Sequence, residues 1–144
     1  MGNILQEVNQ MKSWNDIGFE IERTHDDSPT LHLIQSLDPA KPYGESMHHS
    51  GGASTETDYM YGEPIARVLK NVKDPHFMVV GLGLGYIELN IAREALKLGK
   101  TVGLITSYES VPELREFFFQ WLYGDLANLH PEVIAVYDLS LIHI

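Results

Sequence analysis

Three glycines at alternate positions, Gly81, Gly83 and Gly85, stand between an apolar run and an amphipathic one in "MVVGLGLGYIEL", residues 78 to 89. A turn between strand and helix needs glycines for two reasons. The chain must reverse sharply, and the backbone must come close to a ligand with no Cβ in the way. The chemistry served by such a turn is the holding of a nucleotide-like ligand. Glu109 follows the apolar segment "LITSY", and a carboxylate at the end of a second strand can accept hydrogen bonds from both hydroxyls of a ribose. Its separation from Gly85 is close to the ~20 residues that usually lie between turn and acid.

The ligand class follows from the spacing. A dinucleotide fingerprint reads G-x-G-x-x-G, and its third glycine keeps the helix close to the strand. The bulky ring of Tyr86 follows Gly85 instead, which argues against tight pyrophosphate packing. No Gly-Lys-Ser/Thr follows the turn, so a P-loop is excluded by its own pattern. What fits is G-x-G-x-G, the pattern of S-adenosylmethionine enzymes with the Rossmann-like methyltransferase fold. That ligand carries no phosphate, so its turn needs room more than an anion nest. The plainer alternative is that the glycines only permit a tight turn and Glu109 only caps the following helix. Strand, helix, strand and acid in register favour the cofactor site.

The elements that position these residues can be read from periodicity. "HFMVVGL" reads as a buried strand, "YIELNIAREALKLGK" as an amphipathic helix ending at Gly99, and "TVGLITSYE" as a second strand. Together they form a βαβ unit whose strands must be parallel. "VPELREFFFQWLYG" reads as a helix with Pro112 near its start, and "PEVIAVYD" as either a third strand or a helical turn. Upstream, "FEIER" and "TLHLIQ" alternate in period two around the turn residues of "THDDSP", which predicts a β-hairpin. Residues 1 to 14 carry Ile4, Leu5, Val8 and Met11 at helical spacing. The segment between hairpin and Pro64 reads as an ordered, irregular loop, with a helix after Pro64 over "IARVLKNV".

Composition narrows the function classes. A chain of 144 residues with 44% apolar residues supports one core. The expected division is residues 1–75 as hairpin, loop and helix leading into the fold, and 76–138 as the first βαβα part of an incomplete class I methyltransferase domain. Residues 139–144, "LSLIHI", form an uncharged apolar tail. They are what the end of a common transposon-based sequencing adapter reads as in translation, so Leu139 to Ile144 are expected not to be native. No run is long enough to span a bilayer and no secretion signal opens the chain, so a cytoplasmic location and no membrane partner are expected. There is no cysteine, which removes disulfides, thiolate nucleophiles and cysteine-ligated zinc. Ten basic residues against 20 acidic ones give a formal charge of −10, which opposes a phosphate backbone.

The order of pieces resembles one family, the bacterial methyltransferases that complete 5-methylaminomethyl-2-thiouridine at the tRNA wobble position. The resemblance extends to both the single-domain form and the methyltransferase half of the bifunctional enzyme. "IERTHDDSPTLHL" is similar to the family's amino-terminal hairpin, and "MHHSGGASTETDYMY" to its Y-H-S-x-x-G-A-x-x-E-S segment. "VGLGLGYIELNIA" is similar to its glycine turn and "SYESVPEL" to its Ser-aromatic-Glu-x-x-Pro strand end. The resemblance covers roughly residues 19 to 125. Met47 stands for an aromatic, Thr57 for a Ser, and Val80 where the bifunctional enzymes tend to have an acid. It implies that Gly81, Gly83, Gly85 and Glu109 hold S-adenosylmethionine, with Ser50 and Glu56 lining the same pocket. It further implies a tRNA substrate, attack by an amine on the sulfonium methyl, and an oxidase domain following in the bifunctional form. The family's acid near the target amine follows a fourth strand, so no catalytic residue is named and the 144-residue piece by itself is expected to be inactive.

Other candidates weigh less. His48 and His49 are adjacent, so in extended chain they point to opposite sides, and no metal site is expected. Tyr59 and Tyr61 could line a substrate or adenine pocket, though alternate aromatics beside a helix are more often packing. "FFFQW", residues 117 to 121, is better explained by packing on a sheet than by base stacking, because no basic residues interleave. Two other functions fit the same turn: a Rossmann-like binding module without catalysis, and an aminopropyltransferase related to polyamine synthases. The second usually has a Gly-Gly-x-Asp-Gly turn, and Leu84 is not that Asp.

Overall fold

The computed structural model describes residues 11–41, 44–48 and 50–144. The helix predicted over residues 1 to 14 falls, up to residue 10, outside the described residues, as does His49. Strands β1 (Phe19–Arg23) and β2 (Pro29–Leu33) form the expected antiparallel hairpin, with Phe19 opposite Leu33 and Arg23 opposite Pro29. A short 3₁₀ turn over Asn15–Ile17 precedes it.

The hairpin turn organises the segment that follows. Helix α1 (Ala53–Thr57) begins with amides that have no partner inside the helix, and the hairpin supplies those partners. Ala53 N donates to Thr24 Oγ1 at 3.0 Å, Ser54 N to Ser28 Oγ at 2.9 Å, and Thr55 N to Asp26 Oδ2 at 2.9 Å. Gly52, at φ +151°, leaves no room for a Cβ, which would stand 2.6 Å from Asp26 Oδ2.

Helix therefore begins at Ala53, not after Pro64 as the periodicity suggests. It continues through a π-helical turn (Asp58–Gly62) into α2 (Glu63–Asn71). Local pattern misses this start because the groups that stabilise it lie in another part of the chain.

Strands β3 (His76–Val80) and β4 (Leu104–Tyr108) are parallel, with His76 opposite Leu104 and Val80 opposite Tyr108. Helix α3 (Tyr86–Leu98) connects them and ends at Gly99, φ +61°. Helix α4 (Pro112–Leu122) follows, with Pro112 in its first turn. "PEVIAVYD" is not a strand: it lies in α5 (Pro131–Ile142), where His130 Nδ1 accepts from Glu132 N at 3.1 Å and Pro131 occupies the first turn. The helix runs on through the junction at Asp138.

Among the described residues the β3–β4 sheet has two strands, as few as the sequence reading allowed. Val79 is buried, whereas Met78 is 66% and Val80 80% exposed. The expectation of a wholly buried β3 is thereby corrected, because helices cover only one face of the sheet. One core cluster joins Trp14, the hairpin residues Phe19 and Leu31, Tyr86 of α3, Leu114 and Phe118 of α4, and Val133 and Tyr137 of α5. A second packs Ile65 and Leu69 of α2 on Val79, Ile91 and Ala95. No helix among the described residues is long and apolar enough to cross a membrane.

Candidate functional site

The glycine turn leaves β3 at its C-terminal end, where a parallel strand pair presents a crevice. Gly81, Gly83 and Gly85 have φ of +84°, +52° and +78°, a region costly for residues with a Cβ. Their amides are already engaged. Gly81 N donates to Tyr108 O at 2.7 Å, Gly83 N to Glu109 Oε2 at 3.0 Å, and Gly85 N to Leu82 O at 2.8 Å. A turn whose amides are used internally is not an anion nest, which accords with a ligand lacking phosphate.

The three glycines do different things. A Cβ on Gly81 would meet open space, and one on Gly83 would meet only Met47 Sδ at 3.6 Å. A Cβ on Gly85 would stand 2.2 Å from Phe118 Cε2. Gly85 thus admits the ring of α4 and is not a position of ligand approach.

Glu109, just past β4, spans the crevice. One carboxylate oxygen accepts from Gly83 N, and the other from Val111 N at 3.0 Å, ahead of α4. Glu109 thus braces the start of the following helix and, through the same carboxylate, is bonded to the glycine turn. Oε1 also accepts a long bond from Ser110 Oγ at 3.5 Å, while Oε2 has Gly83 N alone and retains a lone pair that a hydroxyl could use.

A cavity of about 310 Å³ is lined by Gly81 to Leu84, Tyr86, Ile87, Glu109, Met47 and His48. Around Glu109, a neighbouring hollow of about 470 Å³ includes Val80, Gly81, Ser110 and Arg115.

Ser50 and Glu56 do not line the 310 Å³ cavity. Ser50 is exposed, and its carbonyl accepts from His25 N at 2.9 Å. Glu56, in α1, acts on the cavity through charge, raising the proton affinity of His48. Counted back three residues from Gly52, the Ser of the Y-H-S-x-x-G-A segment falls on position 49, so Ser50 lies one residue beyond it. The loop reaches the cavity through Met47 and His48 instead.

His48 Nδ1 lies 2.9 Å from Thr30 Oγ1, and the ring stands edge-on to Tyr86 at 5.3 Å. Burial pushes its imidazole below the ordinary value, against the pull of Glu56 and Asp26. Tyr86 donates its hydroxyl to Pro29 O at 2.7 Å, tying the first residue of α3 to the hairpin.

Sequence reasoning treated His48 only as a metal ligand, Met47 only as a departure and Tyr86 only as an obstacle to pyrophosphate. The available signal was the proximity of Met47 and His48 to the loop motif. Tyr59 and Tyr61, 84% and 43% exposed on the π turn, do not line the cavity. Phe117 and Phe118 are buried in the core, as packing predicted.

No family model and no curated protein matches the sequence. Among solved structures, MnmC2 from Aquifex aeolicus superposes with a TM-score of 0.53 and 27% identity over 72% of this chain. The chain resembles the MnmC methyltransferase family. It spans 37% of the length of that MnmC2 chain. The hairpin, the Gly52 segment, the glycine turn and Glu109 are the pieces on which the MnmC resemblance was drawn from sequence. Of these pieces the glycine turn and Glu109 line the cavity together with Met47 and His48, and the hairpin reaches those linings through Thr30, bonded to His48, and Pro29, bonded to Tyr86.

Proposed function

We propose that this chain is the cofactor-binding part of an S-adenosylmethionine-dependent N-methyltransferase of the class I fold. Its proposed acceptor is the aminomethyl group of a wobble uridine in tRNA. The observation that carries the reading is the meeting of Gly83 N and Glu109 at 3.0 Å beside a cavity at the C-terminal ends of parallel strands. The similarity to MnmC2 supports a tRNA methyltransferase kind of function, and the acceptor is taken from the family resemblance of the sequence.

The residues present fit the cofactor. Gly81 and Gly83 leave open backbone, Glu109 offers a carboxylate lone pair on Oε2 to a ribose hydroxyl, and the turn makes no demand for phosphate. Bound there, S-adenosylmethionine supplies a sulfonium methyl open to in-line attack by an amine. The chain's own contribution is positioning, with Glu109 and the turn fixing the ribose side. Met47 and His48 close the cavity from the hairpin side. Burial disfavours the charged form of His48, against the pull of Glu56 and Asp26, so the ring adds a polar group with less tendency to place a cation beside the sulfonium.

Calorimetric titration with S-adenosylhomocysteine tests the proposal. Saturable heat that is lost in Gly83→Arg and in Glu109→Ala supports the cofactor site. No heat from folded wild-type protein would refute it. Methyl transfer by the full-length protein to tRNA bearing the aminomethyl uridine tests the acceptor separately.

A further inference from the structure

Glu88 lies in the first turn of α3 and is 7% exposed. Its Oε1 accepts from Ser107 Oγ of β4 at 2.6 Å, while Oε2 has no hydrogen-bond partner among the described residues. An orphaned buried carboxyl oxygen is uncommon and costly, since desolvation is not repaid. Burial pushes this carboxyl above its ordinary value, Ser107 opposes the shift, and Glu109 adds to it.

The same carboxyl lines a groove of about 280 Å³ between α3 and α4. Leu89 and Ala92 form one wall and Phe118 and Leu122 the other. No Lys, Arg or His lines it, so no lining side chain offers Glu88 a cation. The volume lies near the lower end of small-ligand sites, ~300–1,000 Å³.

We propose that this groove, which shares Leu82 with the glycine-turn cavity but none of its other lining residues, is a second ligand site that takes a small cationic amine or amidine on a single-ring apolar body. The nitrogen meets Glu88 Oε2 and the ring lies between the two helices. A planar cation with parallel N–H donors satisfies the orphaned oxygen and supplies the charge that the groove lacks. The buried end of the groove, at Glu88, Leu89 and Phe118, is the low-dielectric end, which strengthens the pair, while Phe119, Leu122 and Tyr123 form its exposed rim.

The probe is benzamidine, titrated against the 144-residue chain by calorimetry, with benzyl alcohol as a neutral ligand of similar size. Benzamidine is expected to bind at least about tenfold more tightly, a preference of ~1.4 kcal/mol. Glu88→Gln should abolish that preference. Leu122→Trp, at the half-exposed rim, should fill the groove and weaken both ligands while leaving the far-ultraviolet circular dichroism unchanged. Saturating S-adenosylhomocysteine should leave benzamidine bound. Equal affinities of the two probes, a preference that survives Glu88→Gln, binding untouched by Leu122→Trp, or displacement by S-adenosylhomocysteine would each overturn the proposal.

Discussion

Gly85→Ala separates the structural glycine of the turn from those facing the cavity. Two costs add. A residue with a Cβ at φ +78° loses about 1–2 kcal/mol relative to glycine. The new methyl would also stand 2.2 Å from Phe118 Cε2, and overpacking of this kind costs about 1–3 kcal/mol. The loss of chain freedom in the unfolded state returns about 0.4–1 kcal/mol. The net destabilisation is roughly 1–4.6 kcal/mol, and for a chain of this size each kcal/mol shifts Tm by about 3–4 °C. Thermal unfolding followed by circular dichroism should therefore show a drop of roughly 3–18 °C. Gly81→Ala provides the control. Its φ is +84° but its Cβ meets nothing within 4 Å, so only the backbone cost of about 1–2 kcal/mol remains, less the same unfolded-state return of about 0.4–1 kcal/mol. The clash has its own signature in a double-mutant cycle. Phe118→Leu removes the offending ring edge, so Gly85→Ala should cost less in that background, by at least ~1 kcal/mol. Additive losses, or a Gly85→Ala protein melting with Gly81→Ala, would falsify the assignment of Gly85 to helix packing.

Three further outcomes follow from the same geometry. Asp26→Ala should destabilise by about 2–4 kcal/mol in urea titration, because it strips the hairpin partner from Thr55 and Ser28; a loss under ~0.5 kcal/mol would contradict the capping role. Burial raises the Asp26 carboxyl, but bonds from Ser28 and Thr55 outweigh it and hold it well below the usual range. Its contribution is therefore complete above pH 3.8 and is lost as pH falls toward the folded value. Glu88 has the opposite sign: its folded carboxyl binds its proton more tightly, so its contribution falls as pH rises above 4.5 until the folded value is passed. Subtracting the stability–pH curve of Glu88→Gln from that of wild type should expose this fall, and a flat difference would remove the shift. Tyr86→Phe should cost about 1–2 kcal/mol by loss of the buried bond to Pro29 O, and hydrogen exchange at the base of the hairpin should rise with it. Unchanged exchange there would show that Tyr86 does not tie hairpin to helix.

Much of the site is legible in local sequence. The apolar run before Gly81 and the helical spacing after Gly85 fix where the turn must fall. The position of Glu109 after "LITSY" fixes which strand end it occupies, and register brings Val80 opposite Tyr108. Less legible is the segment from Ser46 to Thr57. Its glycines and polar residues read as loop, and only contact with the hairpin makes Ala53 the start of a helix. "PEVIAVYD" was ambiguous because short apolar runs suit strand and helix alike. The orphaned oxygen of Glu88 had no local sign, since an acid in the first turn of a helix is ordinary.

Sequence alone determined the βαβ unit, the G-x-G-x-G turn, the acid placed to meet it, and the absence of the P-loop and dinucleotide glycine patterns, because these depend on spacing along one stretch of chain. Tertiary structure decided which residues share the cavity: Met47 and His48 instead of Ser50 and Glu56. It also decided that Gly85 serves Phe118 and that Asp26 starts a helix in a distant segment. The physical reason is that capping partners, close approach and burial are set by which surfaces meet, and here the hairpin meets α1 and the first turn of α3 while α4 meets the glycine turn.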